Sequence, residues 1–134
     1  MTQQEKQFLL KDLCARLPYG VKINIKSDYT REMEDTELTP YHIDGLGYNA
    51  EYKYLCPYLR PMSSMTEDEK KIMRSYGFEP ILYDTGYMGF ANIECCIDEV
   101  SFRFMEEFLN AHHFDYRGLI DKGLALEAPM DMYK

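Results

Sequence analysis

The chain has 134 residues, 46% hydrophobic and 14% aromatic, with 15 basic against 23 acidic side chains for a net charge of -8. A chain of this length buries roughly two thirds of the surface its unfolded form exposes, so a single globular domain over 1–134 needs no disulfide or metal to hold it, and the composition excludes a disordered tail. The acidic balance argues against direct nucleic-acid binding, which rests on lysine and arginine neutralising phosphates; solubility explains it, with a basic partner or acidic mimicry of a nucleic acid as the sharper readings.

Thr2 and Glu5 have capping-box spacing, and Phe8, Leu9, Leu13, Cys14 and Leu17 recur at helical intervals, which predicts a helix over Gln3–Arg16. Leu17-Pro18-Tyr19-Gly20 stops it. Val21, Ile23 and Ile25 then alternate with Lys22, Asn24 and Lys26, the pattern of a half-buried strand. Ser27–Glu37 reads as a polar connection. Leu38–Asp44 is expected as a second strand, demoted to an edge by Pro40, which cannot donate to a central ladder. After a turn at Asp44-Gly45-Leu46-Gly47, a third strand over Tyr48–Cys56 puts Tyr48, Ala50, Tyr52, Tyr54 and Cys56 on one side. That side is either the core face of an antiparallel meander or a tyrosine-rich binding strip. Pro57 and Pro61 hold Tyr58, Leu59 and Arg60 extended as a connector.

Thr66 with Glu69 forms the second capping box, Glu67 and Asp68 complement the helix dipole, and Gly77 suits a left-handed stop with Phe78 placed to touch Met73. A surface helix over Glu67–Tyr76 follows, its narrow stripe made of Ile72, Met73 and Tyr76. Pro80–Tyr83 and Tyr87–Ile97 are expected as strands turning at Asp84-Thr85-Gly86. Asp98 should cap a helix reaching about Ala111, with Val100, Phe104, Met105, Phe108 and Leu109 as its apolar stripe, and Asp115 a short fourth helix ended by Gly123. The expected fold is α+β: an antiparallel β-meander, or a small partly closed barrel, covered by three to four helices.

Nothing in the sequence assembles an active site. Cys14, Cys56, Cys95 and Cys96 show no CxxC spacing, and His112-His113 with Cys95-Cys96 have the ligand types for zinc without the spacing, so no metal or cofactor is expected. A small cysteine enzyme would draw on Cys95 or Cys96 with His42, His112 or His113. Neither a nucleophile elbow nor a phosphate-cradling loop is present. With no leader pattern at the start and no apolar run near ~20 residues, the expectation is a cytoplasmic protein without a membrane segment. Arg60 near Tyr58, and Arg117 beside Tyr116, carry the composition of an interface hot spot, which makes these four the candidate binding residues for a protein partner. The alternative is that each guanidinium caps a helix or ties a loop to a carboxylate.

Three stretches, Leu10–Lys22, Pro57–Glu67 and His113–Pro129, resemble a group of short uncharacterised proteins carried by anaerobic gut bacteria and their phages and prophages. The resemblance implies a cytoplasmic, mobile-element origin and transfers no activity and no catalytic residue. With the residue reading, it leads to the expectation of a non-enzymatic protein-interaction module, a phage or prophage accessory protein acting on a host protein.

Overall fold

The computed structural model describes residues 2–27, 33–47, 52–82, 88–92 and 99–133. In chain order its elements are α1 (Gln3–Arg16), β1 (Lys22–Ser27), β2 (Glu34–Glu37), α2 (Pro40–Gly47), β3 (Tyr52–Leu59), α3 (Glu67–Ser75), β4 (Phe78–Leu82), β5 (Met88–Asn92), α4 (Glu99–Ala111) and β6 (Leu126–Glu127). The chain divides into two compact units, one made of Met1–Leu59 with Arg117–Lys134 and the other of Arg60–Tyr116.

In the first unit α1 begins as its capping box requires: the Glu5 amide donates to Thr2 Oγ1 at 3.1 Å and the Thr2 amide to Glu5 Oε2 at 3.0 Å. Gly20, at φ 70°, ends the 3-10 turn Leu17–Tyr19 and hands the chain to β1. Leu9 and Leu13 of α1 pack with Val21, Ile23 and Ile25 of β1, Leu55 and Leu59 of β3, and Leu119 and Leu124 of the returning chain.

The sheet order is β2-β1-β3-β6, antiparallel except for the parallel pair β3–β6. It is therefore a mixed, open sheet rather than an antiparallel meander or a closed barrel. The expected second strand at Leu38–Asp44 is the point of departure, because β2 ends at Glu37 and a helix starts at Pro40. Proline at the first helical position forgoes an amide that would be unbonded anyway. Thr39 donates its amide to His42 Nδ1 at 3.0 Å and accepts the His42 amide at 3.1 Å, closing the first turn. Pro40 thus starts a helix instead of marking an edge.

Of the two readings of the tyrosine side of β3, the core face is not the one found. Ile25 lies opposite Leu55 and Ile23 opposite Pro57, so Leu55 and Leu59 share the dry side with β1 and α1. Tyr54, Cys56 and Tyr58 take the other face, the tyrosines half-buried and Cys56 buried. Residues 48–51 lie outside the described residues. The strand runs on through Pro57 to Leu59, into the expected connector, where Tyr58 and Leu59 pair with β6. Where β1 and β3 part, the Tyr133 hydroxyl donates to the Tyr58 carbonyl at 2.6 Å and accepts the Lys22 amide at 2.9 Å. One side chain so bridges two ladder groups.

In the second unit α3 opens on its predicted capping box, with the Glu69 amide 3.2 Å from Thr66 Oγ1 and the Thr66 amide 2.9 Å from Glu69 Oε1. Gly77 closes it at φ 90°. Met73 and Phe78 then join Met62, Met65, Phe108, Leu109 and Phe114 in one core. β4 and β5 form an antiparallel pair, Phe78 opposite Asn92 and Leu82 opposite Met88. The expected turn at 84–86, residues 83, 87 and 93–97 of the two strands expected around it, and the Asp98 cap fall outside the described residues. The fourth helix expected from Asp115 to Gly123 is a run of turns instead, and Gly118, at φ 74°, breaks the helical path after one turn. Among the described residues no helix is long and apolar enough to cross a membrane.

Candidate functional site

Each of the four residues singled out from sequence is engaged by its own unit. On the outer face of the first sheet Asn24 Nδ2 and the Tyr58 hydroxyl both donate to Asp35 Oδ1, at 2.7 and 2.8 Å. The Asn24 bond first, and the Tyr58 bond second, hold the Asp35 carboxyl below its usual range. Burial, followed by the same aspartate, pushes the Tyr58 hydroxyl up. Arg117 reaches Asp12 Oδ1 at 3.3 Å, while Asp12 Oδ2 takes Arg16 Nε at 2.8 Å. Asp12 and Arg16 are fully buried, so this cluster ties the returning chain to α1 from inside.

Arg60 gathers several polar contacts within the second unit. Its NH1 and NH2 lie 2.8 and 2.7 Å from the two oxygens of Glu69, a bidentate pair, and its guanidinium sits 4.2 Å from the Phe114 ring centre. It also donates to the Ser64 carbonyl at 3.3 Å and the His112 carbonyl at 3.4 Å. His112 Nδ1 stands 3.4 Å from Glu69 Oε2, with its ring against Phe108 at 4.3 Å. Tyr116 donates to Asn110 Oδ1 at 2.9 Å. In the sequence the capping box located Glu69, and the alternative reading of Arg60 and Arg117, each guanidinium tying a loop to a carboxylate, is the arrangement found.

Cys95 and Cys96, on which the enzyme reading turned, lie outside the described residues. Cys14 is exposed and Cys56 buried. Burial pushes the Cys56 thiol up against a Tyr54 hydrogen bond that lowers it, so the thiolate is disfavoured there. Among the described residues no three histidine, cysteine or acidic side chains are placed to hold a metal ion. A depression of about 220 Å³, lined by Glu5, Tyr54, Cys56, Lys122 and Leu124 among others, falls below the ~300–1,000 Å³ of ordinary small-molecule sites.

The second unit exposes aromatic side chains in two separate ring pairs. Tyr76 stacks on Phe104 at 5.9 Å with an interplanar angle of 16°, and Phe102 meets Phe78 edge to face at 6.4 Å. Phe102 is nonetheless 52% exposed and Phe104 48%. Ile72, one helical turn before Tyr76, is 39% exposed. Phe104 was expected on the inner stripe of α4; Phe108 and Leu109 occupy that stripe, and Phe104 lies on its rim. Phe102 carried no signal of its own, because helical periodicity marks it as a polar-side position, and its contact with Phe78 comes from the tertiary structure. No family model, no curated protein and no solved structure matches this chain.

Proposed function

We propose that this chain is a non-enzymatic protein-interaction module, acting in the cytoplasm as a phage or prophage accessory protein on a host protein. The observation that carries the reading is the half-exposure of Phe102 and Phe104 on α4, each held by its own ring contact. One phenylalanine stacked on a tyrosine and the other edge-on to a third phenylalanine are preordered apolar side chains, and aromatic side chains of this kind anchor protein interfaces. The acidic charge of the chain weighs against nucleic acid as the ligand. Tyr58, Arg60, Tyr116 and Arg117 belong to the proposal as residues for which a partner would have to compete with Asp35, Glu69, Asn110 and Asp12.

That competition decides the choice of variant. Replacing Arg60 or Arg117 removes an internal ion pair along with any contact, so loss of binding would not separate the two. Phe102→Ser with Phe104→Ser trims the exposed rings instead, and should change unfolding free energy by about 1 kcal/mol or less per site. With a photo-crosslinking residue at the exposed position 107, one turn from Phe104, a single host protein should be captured from a lysate of an anaerobic gut bacterium, and the same probe in the double serine variant should lose it while melting normally. Capture that is unchanged in the double variant, or absent with both proteins, would refute the proposal.

A further inference from the structure

β2 (Glu34–Glu37) ends the four-stranded sheet, and its register with β1 decides which of its backbone groups are used. The Leu38 amide donates to the Val21 carbonyl at 2.9 Å. Thr36 lies opposite Ile23 and Glu34 opposite Ile25. Hydrogen-bonded and non-bonded pairs alternate along an antiparallel ladder. Leu38, Thr36 and Glu34 therefore bond to β1, while Asp35 and Glu37 turn their N–H and C=O outward, to a side on which no described strand pairs.

Short, charged edge strands are a common defence against edge-to-edge pairing. Here the charge has one sign: Glu34, Asp35 and Glu37 place three carboxylates on four residues of a chain whose net charge is -8. A second copy of this edge would set carboxylate against carboxylate, and like charges directly opposite destabilise a ladder. An extended strand whose cations share the face of Asp35 and Glu37 meets those two carboxylates with opposite charge, and Met33, 55% exposed at the start of the edge, offers a place for an apolar side chain. The geometry points to strand addition at the outer edge of β2 by an extended basic segment of a partner protein, lysine or arginine alternating with β-branched residues. This docking mode is separate from the exposed phenylalanines of α4, and either can fail while the other stands.

The test uses the full chain and a fluorescein-labelled eight-residue peptide of alternating lysine and valine, read by anisotropy at low salt. Two control peptides accompany it: the same sequence N-methylated at alternate residues, and its glutamate counterpart. Glu37→Pro removes an outward amide while leaving the bonded pairs at Thr36 and Leu38 in place. The lysine peptide should bind; the N-methylated peptide and the Glu37→Pro variant should each weaken binding about tenfold, the worth of one to two neutral hydrogen bonds; the glutamate peptide should not bind. The N-methylated control needs no protein variant, so it holds even where Glu37→Pro disturbs folding. No binding of the lysine peptide, equal binding of its N-methylated form, or equal binding of the glutamate peptide would overturn strand addition.

Discussion

Glu69 offers the sharpest test of how the second unit is held. It is the capping-box residue of α3 and also the bidentate partner of Arg60, with side-chain exposures of 12% for Glu69 and 22% for Arg60. Two substitutions separate these roles. Glu69→Gln keeps an amide oxygen for the Thr66 N–H but loses the charge-assisted pair, and at this burial the loss should cost about 2 kcal/mol of unfolding free energy. Glu69→Ala also removes the cap and should cost about 1 kcal/mol more. In a cycle with Arg60→Met the two positions should couple by about 1.5–2 kcal/mol, because once one partner is gone the other has little left to lose. Burial is the largest single influence on the Glu69 carboxyl and raises it, but the Arg60 hydrogen bond and the Thr66 amide together outweigh burial and hold the pKa below its ordinary value. A depressed folded pKa contributes stability above the unfolded value, near 4.3, that disappears as pH falls through the folded one. Urea melts from pH 7 to pH 3 should therefore show the gap between wild type and Glu69→Gln shrinking below about pH 4. A gap under about 0.5 kcal/mol at pH 7, or one unchanged down to pH 3, would refute the reasoning.

Burial pushes the Tyr133 hydroxyl up to about 12, so the fold favours its neutral form. The stability this contributes is complete below the unfolded value near 10 and is lost as pH rises towards 12; Tyr133→Phe should cost about 1–2 kcal/mol at pH 7 by orphaning the Lys22 amide and flatten the alkaline loss, as followed by circular dichroism. Among the thiols, Cys14 is exposed and Cys56 buried with its pKa raised. Iodoacetamide labelling at pH 8 with peptide mapping should modify Cys14 at least tenfold faster than Cys56, and comparable rates would contradict the burial of β3.

The signals that rest on neighbouring residues were legible in the sequence alone. Thr2 with Glu5, and Thr66 with Glu69, specify helix starts through bonds spanning three residues, and both helices begin there. The alternation of Val21, Ile23 and Ile25 located β1 and its buried face, and Gly77 marked the end of α3, since the left-handed conformation excludes most other residues. Thr39-Pro40 was also a helix start in the local sense, but proline serves equally at a strand edge, and only the closed turn with His42 separates the two.

What the tertiary structure alone decided was which groups meet across distance. Alternation in β3 fixes two faces, yet the apposition of Leu55 with Ile25 is what sends the leucines inward and the tyrosines out. The order β2-β1-β3-β6 depends on a two-residue strand from the end of the chain, too short to leave any pattern. Arg60 with Glu69, and Asp12 with both Arg16 and Arg117, are selected by burial, because a charge withdrawn from water is tolerated only where an opposite charge and hydrogen-bond partners converge on it. Sequence spacing carries no record of that convergence beyond one helical turn.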